Sequence, residues 1–130
     1  MPLSVLMIDD NEDDLLFTQI ALSRCGVDFH ISAQARASDA LDFLRSTPDH
    51  GVDVILLDIN MPVMNGFDFL AEFETLPAAQ RQGVSVFMLS SSRDALDRER
   101  AARFACVRGF LTKPLERPVA ATLPALLEAD

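Results

Sequence analysis

Residues 54–66, Val-Ile-Leu-Leu-Asp-Ile-Asn-Met-Pro-Val-Met-Asn-Gly, constrain this chain more than any other stretch. Four apolar residues, Val54 to Leu57, run straight into Asp58. Such a run reads as a strand buried on both faces. The Pro62, Asn65 and Gly66 that follow punctuate a loop. A carboxylate at the end of a buried strand stands at the rim of a sheet. There it can cap the strand end, bind a metal or act as a nucleophile.

The rest of the chain repeats that strand-then-polar pattern. Residues 4–8 (SVLMI) form a short apolar run that stops at Asp9-Asp10. Asn11 is placed to cap a helix whose first turn carries Glu12, Asp13 and Asp14, where the helix dipole favours negative charge. Leu15, Leu16, Ile20 and Leu22 mark its apolar face, and Gly26 its stop. Residues 29–33 suggest a second strand, and Ser38 a cap for a short amphipathic helix with Ala40, Leu41, Phe43 and Leu44. After residue 58, Phe67, Leu70, Ala71 and Phe73 fit a third helix, and residues 78–83 (AAQRQG) a polar connection. Residues 84–89 (VSVFML) predict a fourth strand running into Ser90-Ser91-Ser92, and 93–104 a charged fourth helix that is either a solvated or an interaction face. Residues 107–111 (VRGFL) predict a fifth strand ending at Thr112-Lys113-Pro114. Pro118 suits the start of a last helix, and Pro124 should shorten or kink it.

Five strands alternating with helices imply an α/β fold, a doubly wound parallel sheet with helices on both faces. A chain of 130 residues with 49% hydrophobic content builds one domain with a real core. A net charge of −9 argues against nucleic acid or an anionic membrane as partner. No apolar run approaches membrane-span length, and the N-terminus does not read as a signal peptide. Cys25 and Cys106 lack metal-ligand spacing and read as reduced thiols of a cytoplasmic protein. His30 and His50 read as incidental.

In doubly wound sheets the chemistry lies just beyond the carboxyl ends of the strands. Asp9, Asp10, Asp58, Ser90 and Lys113 all fall there. Three carboxylates at one rim repel one another, so at least one pKa should rise. A hard divalent cation relieves that conflict, and Mg²⁺ is the expected cofactor. Asp10 and Asp58 are expected as direct ligands, Asp9 through water, and the Asn60 backbone carbonyl as a further ligand. Lys113 supplies a point charge for an anion and Ser90 a hydroxyl. Together they describe a phosphoryl site with Asp58 as nucleophile. The blander readings are a strand-end cap for Asp58, a solvated turn for Asp9-Asp10, and dipole complementarity for Glu12 to Asp14.

The segments VLMIDDNEDD, LLDINMPVMNGFDFL, VFMLSSS and GFLTKPL, in that order, resemble the receiver domain of two-component response regulators over essentially the whole chain. The chain looks closest to free-standing receivers, including those paired with phytochrome-type kinases. The resemblance implies a flavodoxin-like (βα)5 fold with strand order 2-1-3-4-5, a single receiver domain over 1–130 and no effector domain. It implies Asp58 as phosphoacceptor, Asp9 and Asp10 as the Mg²⁺-binding pair, and Lys113, before a cis proline, as the phosphoryl contact. Ser90 and Phe110 match the switch hydroxyl and switch aromatic, and Asn60 and Ser92 the positions that tune dephosphorylation. The implied partner is a sensor histidine kinase or histidine phosphotransfer protein. The implied output is the surface of the fourth helix, fifth strand and last helix, which can also support a homodimer, with Leu115, Val119 and Leu126 extending an apolar patch. Two other readings compete. Haloacid-dehalogenase-type phosphatases share the strand-end Asp but carry a second Asp where this chain has Asn60. A receiver-like binding module that takes no phosphate is the other.

Overall fold

The computed structural model describes residues 2–91 and 95–128. Its elements run β1 (Leu3–Ile8), α1 (Glu12–Arg24), β2 (Phe29–Gln34), α2 (Ala37–Ser46), β3 (Val54–Asp58), α3 (Gly66–Phe73), α4 (Ala78–Arg81), β4 (Ser85–Ser90), α5 (Ala95–Ala102), β5 (Val107–Thr112), α6 (Arg117–Ala121) and α7 (Leu123–Glu128). The five strands form one parallel sheet in the order β2-β1-β3-β4-β5. The order reverses between β1 and β3, so Asp9, Asp10 and Asp58 all lie at the switch point.

Strand alternation sorts the core into two layers. Leu6, Ile8, Ile55, Leu57, Val86 and Met88 face α2, α3 and α5. Val5, Met7, Val54, Leu56, Phe87 and Leu89 face α1, α6 and α7. Every residue of β3 is buried, as a central parallel strand requires. Each fully buried aliphatic side chain contributes roughly 1.5–3 kcal/mol, so β3 anchors the rim rigidly.

Local chemistry sets the loop after β3. The Asn65 side chain accepts from the Asp68 N–H while Asp68 accepts from the Asn65 N–H, a reciprocal cap that starts α3. Gly66 donates its N–H to the Ile59 carbonyl at 2.8 Å. A Cβ at Gly66 would stand 2.6 Å from the Asp58 carbonyl oxygen, so only glycine lets α3 begin this close to β3.

Several sequence expectations shift. α1 buries Thr18, Ala21 and Leu22, and Leu16 lies exposed beside Phe17. α2 begins at Ala37 with Arg36 at its cap, which makes no side-chain cap bond, so Ser38 is inside the helix. The polar connection forms the short helix α4, and His50 ties to it. The Val52 N–H donates to His50 Nδ1 at 3.0 Å, so Nε2 carries the proton and donates to the Gln80 carbonyl at 2.8 Å. The last helix divides at Thr122, two residues before Pro124, whose missing N–H cannot continue the ladder. Leu115 is buried in the core and does not join the expected patch; Val119 and Leu126 stay partly exposed. Ser92 and the first two residues of the expected fourth helix fall outside the described residues.

Candidate functional site

Asp9 follows β1, Asp58 ends β3, Ser90 ends β4 and Lys113 follows β5. The parallel register aligns these ends, with Asp58 beside Leu89 and Ser90 beside Thr112. The Lys113 N–H donates to the Ser90 carbonyl at 2.9 Å, and the Lys113–Pro114 peptide is cis, as expected. Asp9, Asp58 and Ser90 are buried, whereas Asp10 is exposed.

Asp9, Asp10 and Asp58 each place a carboxylate oxygen within 4.8 Å of the others. Lys113 closes the cluster. Its Nζ donates to Asp9 Oδ2 at 2.7 Å, to Asp14 Oδ2 at 2.9 Å and to Asp58 Oδ1 at 3.0 Å. An ammonium has three N–H bonds, and here each one meets a carboxylate. Burial pushes the Asp58 carboxyl above the usual carboxylate range; the hydrogen bond from Lys113 opposes this, and the nearby Asp9 and Asp10 charges add to the rise. Burial also works against the Lys113 charge, but its hydrogen bonds to Asp9, Asp14 and Asp58 outweigh it and hold its pKa above that of an ordinary lysine. Lys113 therefore stays an ammonium at neutral pH.

Asp14 is the residue that sequence reasoning placed elsewhere. It sits three residues after the cap, a position where an acidic side chain commonly reaches back to the cap N–H. Here the Asn11 N–H is taken by Asp9 Oδ1 at 3.0 Å, while Asn11 Oδ1 accepts from the Asp14 N–H. The Asp14 carboxylate turns to Lys113 instead. The signal lay in Asp9 preceding the cap by two residues, close enough to satisfy it.

Asn60 is exposed and lines a cleft of about 1010 Å³ that opens beside Asp58. Phe17 and Ile20 of α1 line it together with Pro114 and Leu115. Phe110 lies apart from the cluster on β5, half-buried, with the Arg98 guanidinium 4.8 Å from its ring centroid. The donor set at the cluster is all oxygen, three carboxylates of which Asp10 and Asp58 line the cleft. That set suits a hard divalent ion such as Mg²⁺ rather than a softer one.

A parallel sheet with this order, carrying three aspartates and one lysine at its carboxyl rim, is the build of a phosphoacceptor domain. The sequence profile of the response regulator receiver domain matches residues 5–122, and the chain belongs to that family. It is 34% identical over 110 residues to the transcriptional regulatory protein PrrA of Mycobacterium tuberculosis, covering 85% of this chain and 43% of PrrA. The crystal structure of a response regulator receiver protein from Dyadobacter fermentans superposes with a TM-score of 0.85 at 33% identity, over 98% of this chain and 99% of that one. The bacteriophytochrome response regulator RtBRR superposes with a TM-score of 0.80 at 26% identity, over all of this chain and 80% of that one. The chain spans about half, or less, of the length of the curated relatives it matches. Among the described residues no helix is long and apolar enough to cross a membrane.

Proposed function

We propose that Asp58 accepts a phosphoryl group from a phosphohistidine of a sensor kinase or phosphotransfer protein, and that the acyl phosphate is this chain's signal. The observation that carries the reading is the Lys113 ammonium hydrogen-bonded to Asp58 within a cluster completed by Asp9 and Asp10. A carboxylate oxygen of Asp58 forms the new bond to phosphorus as the bond from phosphorus to the histidine nitrogen breaks, and the imidazole leaves. Lys113 turns an N–H to a phosphoryl oxygen, and the buried Ser90 hydroxyl is the next donor at the rim. Asp9, Asp10 and Asp58, with the Asn60 backbone carbonyl, would hold Mg²⁺. A bound Mg²⁺ neutralises charge on the transferring group.

The cleft beside Asp58 supports docking of the donor. Its apolar lining, Phe17, Ile20, Pro114 and Leu115, suits a helix that presents a histidine to the rim. A phytochrome-type kinase fits the likeness to RtBRR, and a cytoplasmic site follows from such a donor. Residues 5–122 act as one receiver unit, a reading supported by solved receivers matched over their whole length. It works as a phosphoacceptor rather than on a separate substrate. Asn60, where a phosphatase of the haloacid dehalogenase type carries its general acid, has no carboxyl proton to give.

Phosphorylation adds about −1.5 to −2 charges and three acceptor oxygens. Ser90 and Lys113 turn to these, and Phe110 follows by packing inward. The output surface is α5, β5 and the α6–α7 pair, which also offers a self-association face; Ser92 and Asn60 set the lifetime of the acyl phosphate. Wild-type chain treated with acetyl phosphate and Mg²⁺ should shift on a phosphate-affinity gel, and Asp58→Asn should not. A phosphorylated Asp58→Asn protein would overturn the assignment.

A further inference from the structure

The three contacts of Lys113 are not equivalent. Asp9 and Asp58 belong to the group of oxygens that Asp10 completes, whereas Asp14 is not part of it. Asp14 comes from the first turn of α1, and its position there is fixed by two bonds to the cap, Asp14 N–H to Asn11 Oδ1 and Leu15 N–H to the Asn11 carbonyl, each 3.0 Å. Its exposure also differs. The Asp14 side chain is 36% exposed, against 6% for Asp9 and 9% for Asp58. Asp14 can therefore release an ammonium and be rehydrated at little cost, while buried Asp9 and Asp58 cannot.

A divalent cation at the cluster draws on the same Asp9 and Asp58 carboxylates that Lys113 now holds. Two cations then compete for one pair of charges. Lys113 must loosen its hold on those carboxylates, yet it must stay at the rim to meet a phosphoryl group. Of its three partners, only Asp14 satisfies both demands. We propose that Asp14 is a positioning residue: it retains Lys113 at the rim while the cluster is occupied by a divalent cation, and so favours cation binding and readies the ammonium for the phosphoryl group. The inference rests on the reading of the cluster as a Mg²⁺ site.

The test is a thermodynamic cycle on the full chain, with Mg²⁺ affinity measured by isothermal titration calorimetry for wild type, Asp14→Asn, Lys113→Met and the double variant. Far-UV circular dichroism checks that each is folded. If Asp14 acts by taking Lys113 away from the cluster, Asp14→Asn weakens Mg²⁺ binding about two- to fivefold, the scale of a half-exposed ion pair. The same substitution in the Lys113→Met background then changes nothing. An equal loss in both backgrounds would mean that Asp14 contributes only its charge, and the proposal fails. An unchanged affinity in Asp14→Asn also overturns it. Absence of Mg²⁺ binding by wild type would instead remove the reading of the cluster itself, and the positioning role with it.

Discussion

Replacing Lys113 by methionine should turn the acidic rim from a bound network into a source of strain that Mg²⁺ relieves. The Lys113 side chain is only 12% exposed, and its partners Asp9 and Asp58 are 6% and 9% exposed. Removing one partner of a buried pair typically costs about 3–5 kcal/mol, because the remaining charge stays buried and uncompensated. The Asp14 contact, on a side chain that is 36% exposed, adds no more than a surface pair, about 1 kcal/mol at most. Two effects work against the loss. The lysine no longer has to be desolvated, and Asp58, whose carboxyl is already pushed up by burial, can take up a proton. The net destabilisation at neutral pH without metal should be about 2–4 kcal/mol, a large share of the ~5–15 kcal/mol typical of a domain.

The chain has neither Trp nor Tyr, so urea unfolding is followed by far-UV circular dichroism rather than fluorescence. In EDTA at pH 7, Lys113→Met should unfold at clearly lower urea than wild type. Mg²⁺ at a hundredfold excess over a protein's own dissociation constant contributes about 2.7 kcal/mol to wild type and variant alike, so the gap should close only by as much as Lys113→Met, freed of the competing ammonium, binds Mg²⁺ more tightly than wild type. The gap should also narrow as pH falls. A carboxyl whose folded pKa is raised contributes stability that is complete below its unfolded value of 3.8 and lost as pH rises through its folded value. Acidification through the raised pKa of Asp58 therefore protonates it and removes the repulsion that Lys113 had balanced. A Lys113→Met protein as stable as wild type in EDTA at pH 7 would refute this account of the rim.

Two further tests concern the scaffold that holds the site. Gly66→Ala should cost several kcal/mol and weaken Mg²⁺ binding together, because its Cβ would meet the Asp58 carbonyl at 2.6 Å and push β3 and α3 apart; urea midpoints and calorimetry on one preparation read both, and a neutral effect on stability would show that the loop gives way freely. Burial, with the Glu74 charge second, pushes the Cys106 thiol up to about 11 from an ordinary 9.0. Its folded pKa is the higher one, so its contribution to stability is intact below pH 9 and is lost as pH rises toward 11. Cys106→Ala should therefore lose less stability than wild type between those limits, and parallel pH profiles would contradict the burial argument.

Much of the fold was legible because its signals are local and redundant. Strand β3 announces itself by four apolar residues ending on Asp58, and the sheet rule then predicts which polar residues share its rim. Asp9, Asp10, Asp58, Ser90 and Lys113 do fall at that rim, although 104 residues separate Asp9 from Lys113. What stayed hidden depends on competition between partners. On α1, Leu22 is buried and Leu15 packs against the core as expected, but Leu16 was misplaced because it satisfies helical spacing equally well, while the inward face also uses the smaller Thr18 and Ala21. Leu115 looked like surface because composition cannot show that the chain turns inward after Pro114. Asp14 was assigned to the helix dipole, a role it fills by position. Its carboxylate is free for Lys113 only because Asp9, from the preceding strand end, satisfies the cap N–H that Asp14 would otherwise take. The rim is thus shared between sheet and helix. β1, β3 and β5 bring three carboxylates and a lysine together, and the first turn of α1 supplies the fourth carboxylate, the one exposed enough to release the lysine.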